Sequence, residues 1–238
     1  MKSILVKKII ETEMSDIHSI LLERGKMYSY VNPVSYLDAL KHKDVYGTMD
    51  GLFVDGSLMT AAIHICYGKH ITRRSPDMVG FLPEVFEYVN NQNKSICVVG
   101  SSQQQMELAV KKFSSWYPNV VWKNCRNGYF SGEQEMEDYA AVISEEQPDY
   151  LICGMGSVIQ ERFLLMCKEA GFSGVGFSCG GFIRQIAENP KDTYYPAWIN
   201  RMNLRFLYRM YKEPHTRKRY AIAGLVFPAR FVWERLFG

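Results

Sequence analysis

Apolar positions along this chain fall into two kinds of pattern. In the first, short β-rich runs stand out: ILVKKII (4–10), LFV (52–54), ICVV (96–99), NVVW (119–122), YLIC (150–153) and GVGF (174–177). These predict strands. In the second, apolar residues recur every three or four positions, which predicts helices near 14–24, 33–42, 57–67, 78–93, 102–115, 133–146 and 157–170. Several of the runs end on a turn residue that opens a helical stretch: Asp55-Gly56, Gly100-Ser101 and Gly154-Met155-Gly156. Strand and helix alternating in this way predict an α/β fold, with a Rossmann-like, mostly parallel sheet covered by helices. Such sheets bind ligands beyond the carboxyl ends of their strands. A site is therefore expected at those three junctions.

Near residue 190 the pattern changes. In YYPAWINRMNLRFLYRMYKEP, Arg201, Arg205 and Arg209 stand four apart and make one helix face basic, while Met202 and Phe206 share another. The remaining residues mix basic side chains with Phe227, Phe231, Trp233 and Phe237. The expected division is a domain over 1–190 and a basic, amphipathic helical appendage over 191–238. Charge sharpens this picture. The net charge is +3, but residues from 201 onward hold nine Lys/Arg and two Glu, leaving 19 basic and 23 acidic residues before them. A tail of +7 on a body of −4 calls for an anionic partner. Interfacial aromatics beside a basic face point to an anionic membrane surface, with the four tail aromatics entering the lipid and the tail separable from the body. Nucleic acid is not expected, because the body is acidic and no recognition motif appears.

Composition changes the picture little. Of 238 residues, 47% are hydrophobic and 22% charged, which predicts a folded core. The opening MKSILVKKIIETEM has its apolar run broken by lysines and predicts no secretory leader. No run reaches the ~18 apolar residues of a spanning helix. The six cysteines lack C-x-x-C spacing and read as buried thiols of a reducing compartment. There is no HExxH, no D-x-D triad, no P-loop and no G-x-S-x-G elbow. A dinucleotide fingerprint would need a third glycine where Ile159 stands. Gly154 and Gly156 can still open an anion-binding helix N-terminus, or simply relieve a tight turn. Asp55 is placed for general-base work, or for an N-cap. Asn32 before Pro33, Arg73 and Arg74, and Gln160 with Glu161 carry the same two readings, as ligand contacts or as ordinary turn, loop and first-turn residues.

In order along the chain, VNP (31–33), FVDG (53–56), ITRRSPDM (71–78), YPNV (117–120), NGYF (127–130), GMGSVIQE (154–161) and the segment from GGF (180–182) to KEP (212–214) resemble successive motifs of the WecG/TagA/CpsF glycosyltransferases, glycosyltransferase family 26. The resemblance runs from about Tyr30 to Arg219. It implies transfer of a sugar, N-acetylmannosamine-type, glucose or related, from a UDP-sugar to a polyprenyl-diphosphate-linked sugar in cell-surface polysaccharide synthesis. It further implies inversion at the anomeric carbon, no metal or other cofactor, a peripheral place on the cytoplasmic face of the membrane, and a homo-oligomer. Asp55 then maps to the general base and Asn32 to a second catalytic position. Gln160, Arg73 (with Arg74 the neighbouring candidate), Arg209 and Arg219 map to substrate contacts, the tail arginines meeting the lipid diphosphate or donor phosphates. Tyr30, Gly154, Gly156, Glu161 and Arg217 complete the expected substrate site. The sequence departs from the family pattern at Tyr30 (threonine), Val158-Ile159 (Pro-Lys), Pro76 (near a glycine), Ile183 (aspartate) and Thr216 (arginine). These departures leave the donor open, with an inactive nucleotide-sugar-binding subunit as the alternative.

Overall fold

The computed structural model describes residues 3–189, 194–202 and 204–237. The chain runs α1 (Ile4–Met14), α2 (Ile17–Leu22), β1 (Met27–Val31), α3 (Pro33–Lys41), α4 (Lys43–Thr48), β2 (Gly51–Val54), α5 (Ser57–Tyr67), α6 (Leu82–Asn91), β3 (Ser95–Gly100), α7 (Gln103–Trp116), β4 (Val121–Trp122), α8 (Glu133–Glu146), β5 (Tyr150–Gly154), α9 (Ile159–Glu169), β6 (Val175–Ser178) and α10 (Phe182–Glu188). Then come α11 (Ala197–Arg201), α12 (Arg205–Lys212), a 3₁₀ turn over Pro214–Thr216, and α13 (Arg217–Phe237). The six strands form one sheet in the order β2-β1-β6-β5-β3-β4, and every pairing is parallel. The expected boundary between residues 190 and 191 lies outside the described residues.

Helices cover both faces of the sheet, so strand residues of either parity are buried. Met27 and Val31 of β1, with Leu151 and Cys153 of β5, enter one core cluster. Their neighbours Tyr28, Tyr30, Tyr150 and Ile152 enter the other, on the opposite face. Two expectations need correction here. Residues 4–10 are helix, not strand: Leu5, Val6, Ile9 and Ile10 are buried at helical spacing against β2, while Lys7 stays outside. Packing outweighs the β-propensity of Ile and Val. Conversely, β1 (MYSYV) carries no run of aliphatic residues, yet all five positions are buried. Its Ser29 is tolerated there because the hydroxyl bonds Glu161 Oε1 at 2.7 Å and Ser178 Oγ at 2.9 Å.

α13 packs along α3 and α5. Phe227 and Phe231 are fully buried, their rings 5.7 and 5.3 Å from that of Tyr36. Those two aromatics therefore belong to the core, against the expectation that all four would meet lipid; Trp233 and Phe237 remain exposed. The buried Glu234 accepts Lys43 Nζ at 2.9 Å and ties the same helix to the start of α4.

Candidate active site

The carboxyl ends of β1, β2, β3, β5 and β6 open into a polar cavity of about 360 Å³. β1 delivers Asn32, whose Oδ1 accepts the Val34 and Ser35 N–H groups at 2.9 and 3.1 Å and caps α3. Pro33 follows at the first helical position. Asn32 is thus a cap and a cavity wall at once. β5 delivers Gly154-Met155-Gly156. A Cβ on Gly154 would sit 2.7 Å from Gly180 O and 2.9 Å from Cys179 Sγ, so two strand ends approach each other closely only because that residue is glycine. Gly156 has φ +90°, which also favours glycine.

β2 delivers Asp55. It does not cap α5, whose N-cap is Gly56 with no side-chain bond. Its Oδ1 instead accepts the Ser75 hydroxyl at 2.6 Å. Arg205 Nη1, from α12, donates to Ser75 Oγ at 3.2 Å and to Asp77 Oδ2 at 2.8 Å. An appendage arginine thus reaches the Asp55 carboxylate through one hydroxyl. Burial pushes the Asp77 carboxyl above its ordinary value despite Arg205.

Gln160 and Glu161 divide their roles by position. Gln160 lines the cavity, and its Oε1 accepts the Gly180 N–H at 3.1 Å. Glu161 lies beneath, fully buried, accepting Ser29 Oγ, Gln160 Nε2 and Val158 N–H at 2.7 Å each and Tyr46 OH at 3.0 Å. Burial raises this carboxyl above its ordinary value, and these four donors oppose the rise. Val158 is held at φ +75°, costly for a β-branched residue, on the order of 1–3 kcal/mol. Its bond to Glu161 and a second to Tyr46 OH at 3.3 Å fix it there. A proline, which needs φ near −65°, does not suit this backbone.

Three guanidinium groups line the cavity: Arg184, Arg209 and Arg219. Arg184 and Arg209 are 2.5 and 3.5 Å from Glu213 Oε2, whose other oxygen accepts Tyr194 OH at 2.7 Å. Arg219 is 2.9 Å from Asp38 Oδ2, which also accepts Ser157 Oγ at 2.8 Å. Burial alone would lower the Arg209 pKa, but Tyr220, Tyr195, Glu213 and Asp55 together raise it above the ordinary value. Its buried Nε has no hydrogen-bond partner among the described residues. Tyr30 also lines the cavity, with its buried hydroxyl unpartnered in the same sense.

A second cavity, of about 570 Å³ and largely apolar, lies between the starts of α3 and α5 and the helices α12 and α13. Asn32, Asp55 and Arg209 belong to the walls of both. Arg73 lines the second, whereas Arg74 turns to Glu13 at 3.7 Å and stacks over Phe53. Arg217 lines neither; it is exposed, and its Nε donates to Met210 O at 2.8 Å.

Residues 4–238 match the glycosyl transferase WecG/TagA/CpsF family. The chain belongs to that family. It is 33% identical over 210 residues, covering 87% of this chain and 86% of the relative, to a UDP-Gal:alpha-D-GlcNAc-diphosphoundecaprenol beta-1,4-galactosyltransferase of Shigella boydii. It is 26% identical over 206 residues, 85% of this chain and 77% of the relative, to an N-acetylglucosaminyldiphosphoundecaprenol N-acetyl-beta-D-mannosaminyltransferase of Bacillus subtilis (strain 168). The protein is accordingly a glycosyltransferase. Within this family member, Ser75, Asp77, Arg184 and Arg205 are among the polar residues around the site that sequence reasoning missed. Ser75 and Asp77 stand in RRSPDM, and Arg205 on the basic face; only their convergence on Asp55 is invisible in the sequence. Among the described residues, no group of three His, Cys, Asp or Glu is placed to hold a metal ion, and no helix is long and apolar enough to cross a membrane.

Proposed function

We propose that this glycosyltransferase moves a sugar from a UDP-sugar to a polyprenyl-diphosphate-linked N-acetylglucosamine. The observation that carries the reading is Asp55, which follows β2 on the wall of a cavity lined by Arg184, Arg209 and Arg219. The two relatives differ in donor but share the GlcNAc-diphosphoundecaprenol acceptor in their names, so the acceptor is carried over more narrowly than the donor. UDP-galactose and UDP-N-acetylmannosamine are the leading donors, with UDP-glucose beside them.

In this reading Asp55 takes the proton from the acceptor hydroxyl as that oxygen attacks the anomeric carbon. The bond to the UDP oxygen breaks on the opposite face, inverting the centre. Ser75 holds one carboxylate oxygen, leaving the other to receive the proton. Negative charge then grows on the leaving diphosphate. Three guanidiniums placed beforehand stabilise it without reorganising. The side chains here offer arginines rather than an oxygen-rich cage, so we read the reaction as metal-independent. The protein is read as peripheral at a membrane surface, where its lipid-linked acceptor resides.

The test is a panel of UDP-sugars incubated with polyprenyl-diphospho-GlcNAc, with UDP release measured in the presence of EDTA. One donor is expected to be turned over at full rate. Loss of activity in EDTA that Mg²⁺ or Mn²⁺ restores would overturn the metal-independent chemistry. No turnover of any donor, with or without added metal, would overturn the acceptor assignment.

A further inference from the structure

The second cavity has no role in the chemistry so far. Its volume falls within the ~300–1,000 Å³ typical of pockets for small organic ligands, and its lining is chiefly apolar side chains: Pro33, Leu58, Phe206, Met210 and Leu225. Polar groups gather at one end. Asp55 and Arg209 form the wall shared with the polar cavity, and Arg73 and Arg205 stand in the same lining. Leu58, Phe206 and Leu225 of the same lining are exposed and open it to the surface, Leu225 to 82%. The appendage carries further exposed apolar residues, among them Trp198, Met202, Tyr211 and Ile222. A ligand that fits must therefore be amphipathic in a fixed order. Its hydroxyl lies at Asp55, its anion beside the arginines, and its hydrocarbon runs outward to an apolar mouth.

We propose that this cavity binds the first isoprenoid units of the acceptor, those next to the diphosphate. The proposal rests on the acceptor reading above. A free sugar would leave the hydrocarbon wall wet, and a membrane acyl chain would offer no acceptor to the buried Arg209 Nε. A prenyl diphosphate sugar satisfies both ends. Arg209 stands on the wall that the two cavities share, and its buried Nε, which has no hydrogen-bond partner among the described residues, is a donor left for the acceptor's diphosphate beside the donor's. The enzyme then recognises its lipid as a ligand, and not only through the membrane that carries it.

Gly224 provides the probe. It lies within α13 on the cavity wall, and a Cβ built on it meets nothing within 4 Å. Replacing a helical glycine also favours the helix, so Gly224→Phe should fill the cavity without unfolding the chain; the melting temperature checks this. Transfer is measured in detergent-free solution with two GlcNAc-diphosphate acceptors, one bearing three isoprene units and one bearing a methyl group. Wild type is expected to prefer the prenyl acceptor at least ~10-fold in KM, the low end for discrimination by an apolar pocket. Gly224→Phe should bring that preference close to one. A second variant, Leu58→Asp, should lower the preference from the mouth. Equal KM for both acceptors in wild type, or an unchanged preference in both folded variants, would overturn this proposal and leave the transferase reading intact. No transfer by wild type to either acceptor, from any UDP-sugar, would overturn both.

Discussion

At the scale of single residues, the proposed chemistry rests on one carboxylate held by one hydroxyl. Asp55→Asn should lower kcat by about 10² or more, the low end for loss of general-base catalysis. UDP affinity, measured by calorimetry, should barely change, because the diphosphate contacts are assigned to the arginines. Ser75→Ala removes the 2.6 Å bond to Asp55 Oδ1. At about 1 kcal/mol for such a bond, a roughly fivefold loss in kcat is expected with donor KM unchanged; a near-normal kcat in both variants would remove Asp55 from the mechanism. Motif order along the chain makes Asp55, Asn32, Gln160 and the glycines legible in the sequence alone. The network behind them is not legible there. Ser75 lies 20 residues from Asp55 and Arg205 lies 130 from Ser75, and no local pattern links such positions. Val158 at φ +75° is hidden for a different reason, since a β-branched residue gives no signal of a left-handed backbone.

At the scale of elements, α12 and α13 are tied to the body by both charge and packing. Burial alone would raise the Glu213 carboxyl, but Arg209, Tyr194 and Arg184 hold it below the ordinary carboxylate range. A folded value below the unfolded one means stability that is full above the unfolded value, near pH 4.3 for Glu, and lost as pH falls through the folded value. The stability difference between wild type and Glu213→Gln, from urea melts, should therefore stay constant from pH 8 to about 5.5 and shrink below about 4.3. Constancy down to pH 3 would contradict the pairing. Phe231→Ala, which empties a buried ring site against Tyr36 and Tyr67, should cost about 3–5 kcal/mol in the same assay; a loss under 1 kcal/mol would mean that α13 is not part of the core. Element type is legible wherever period and length agree, as in α8, expected over 133–146 and found over Glu133–Glu146. It fails for α1, where Leu5 and Ile9, and Val6 and Ile10, stand four apart but the β-branched composition of the run suggests a strand. It also fails for β1, where tyrosine and serine hide a strand buried on both faces.

At the scale of the whole molecule, charge and exposed apolar surface meet on the appendage. Nine basic residues follow residue 200, each contributing about 1 kcal/mol when close to an anionic lipid surface. Trp233 and Phe237 remain exposed to enter it. Liposome sedimentation should rise with the fraction of anionic lipid, fall with added salt, and drop in the Trp233→Glu, Phe237→Glu double variant; binding indifferent to lipid charge would exclude an electrostatic membrane role. The strand order has a consequence of another kind, for the chain as it is synthesised. β1 and β2 pair with each other, and β3, β4 and β5 form a second group, yet the two groups meet only through β6, which lies between β1 and β5. Until residue 178 has left the ribosome, both groups end in unpaired edges of the sort that seek partners in other chains. Three quarters of this enzyme must therefore exist before its sheet can close.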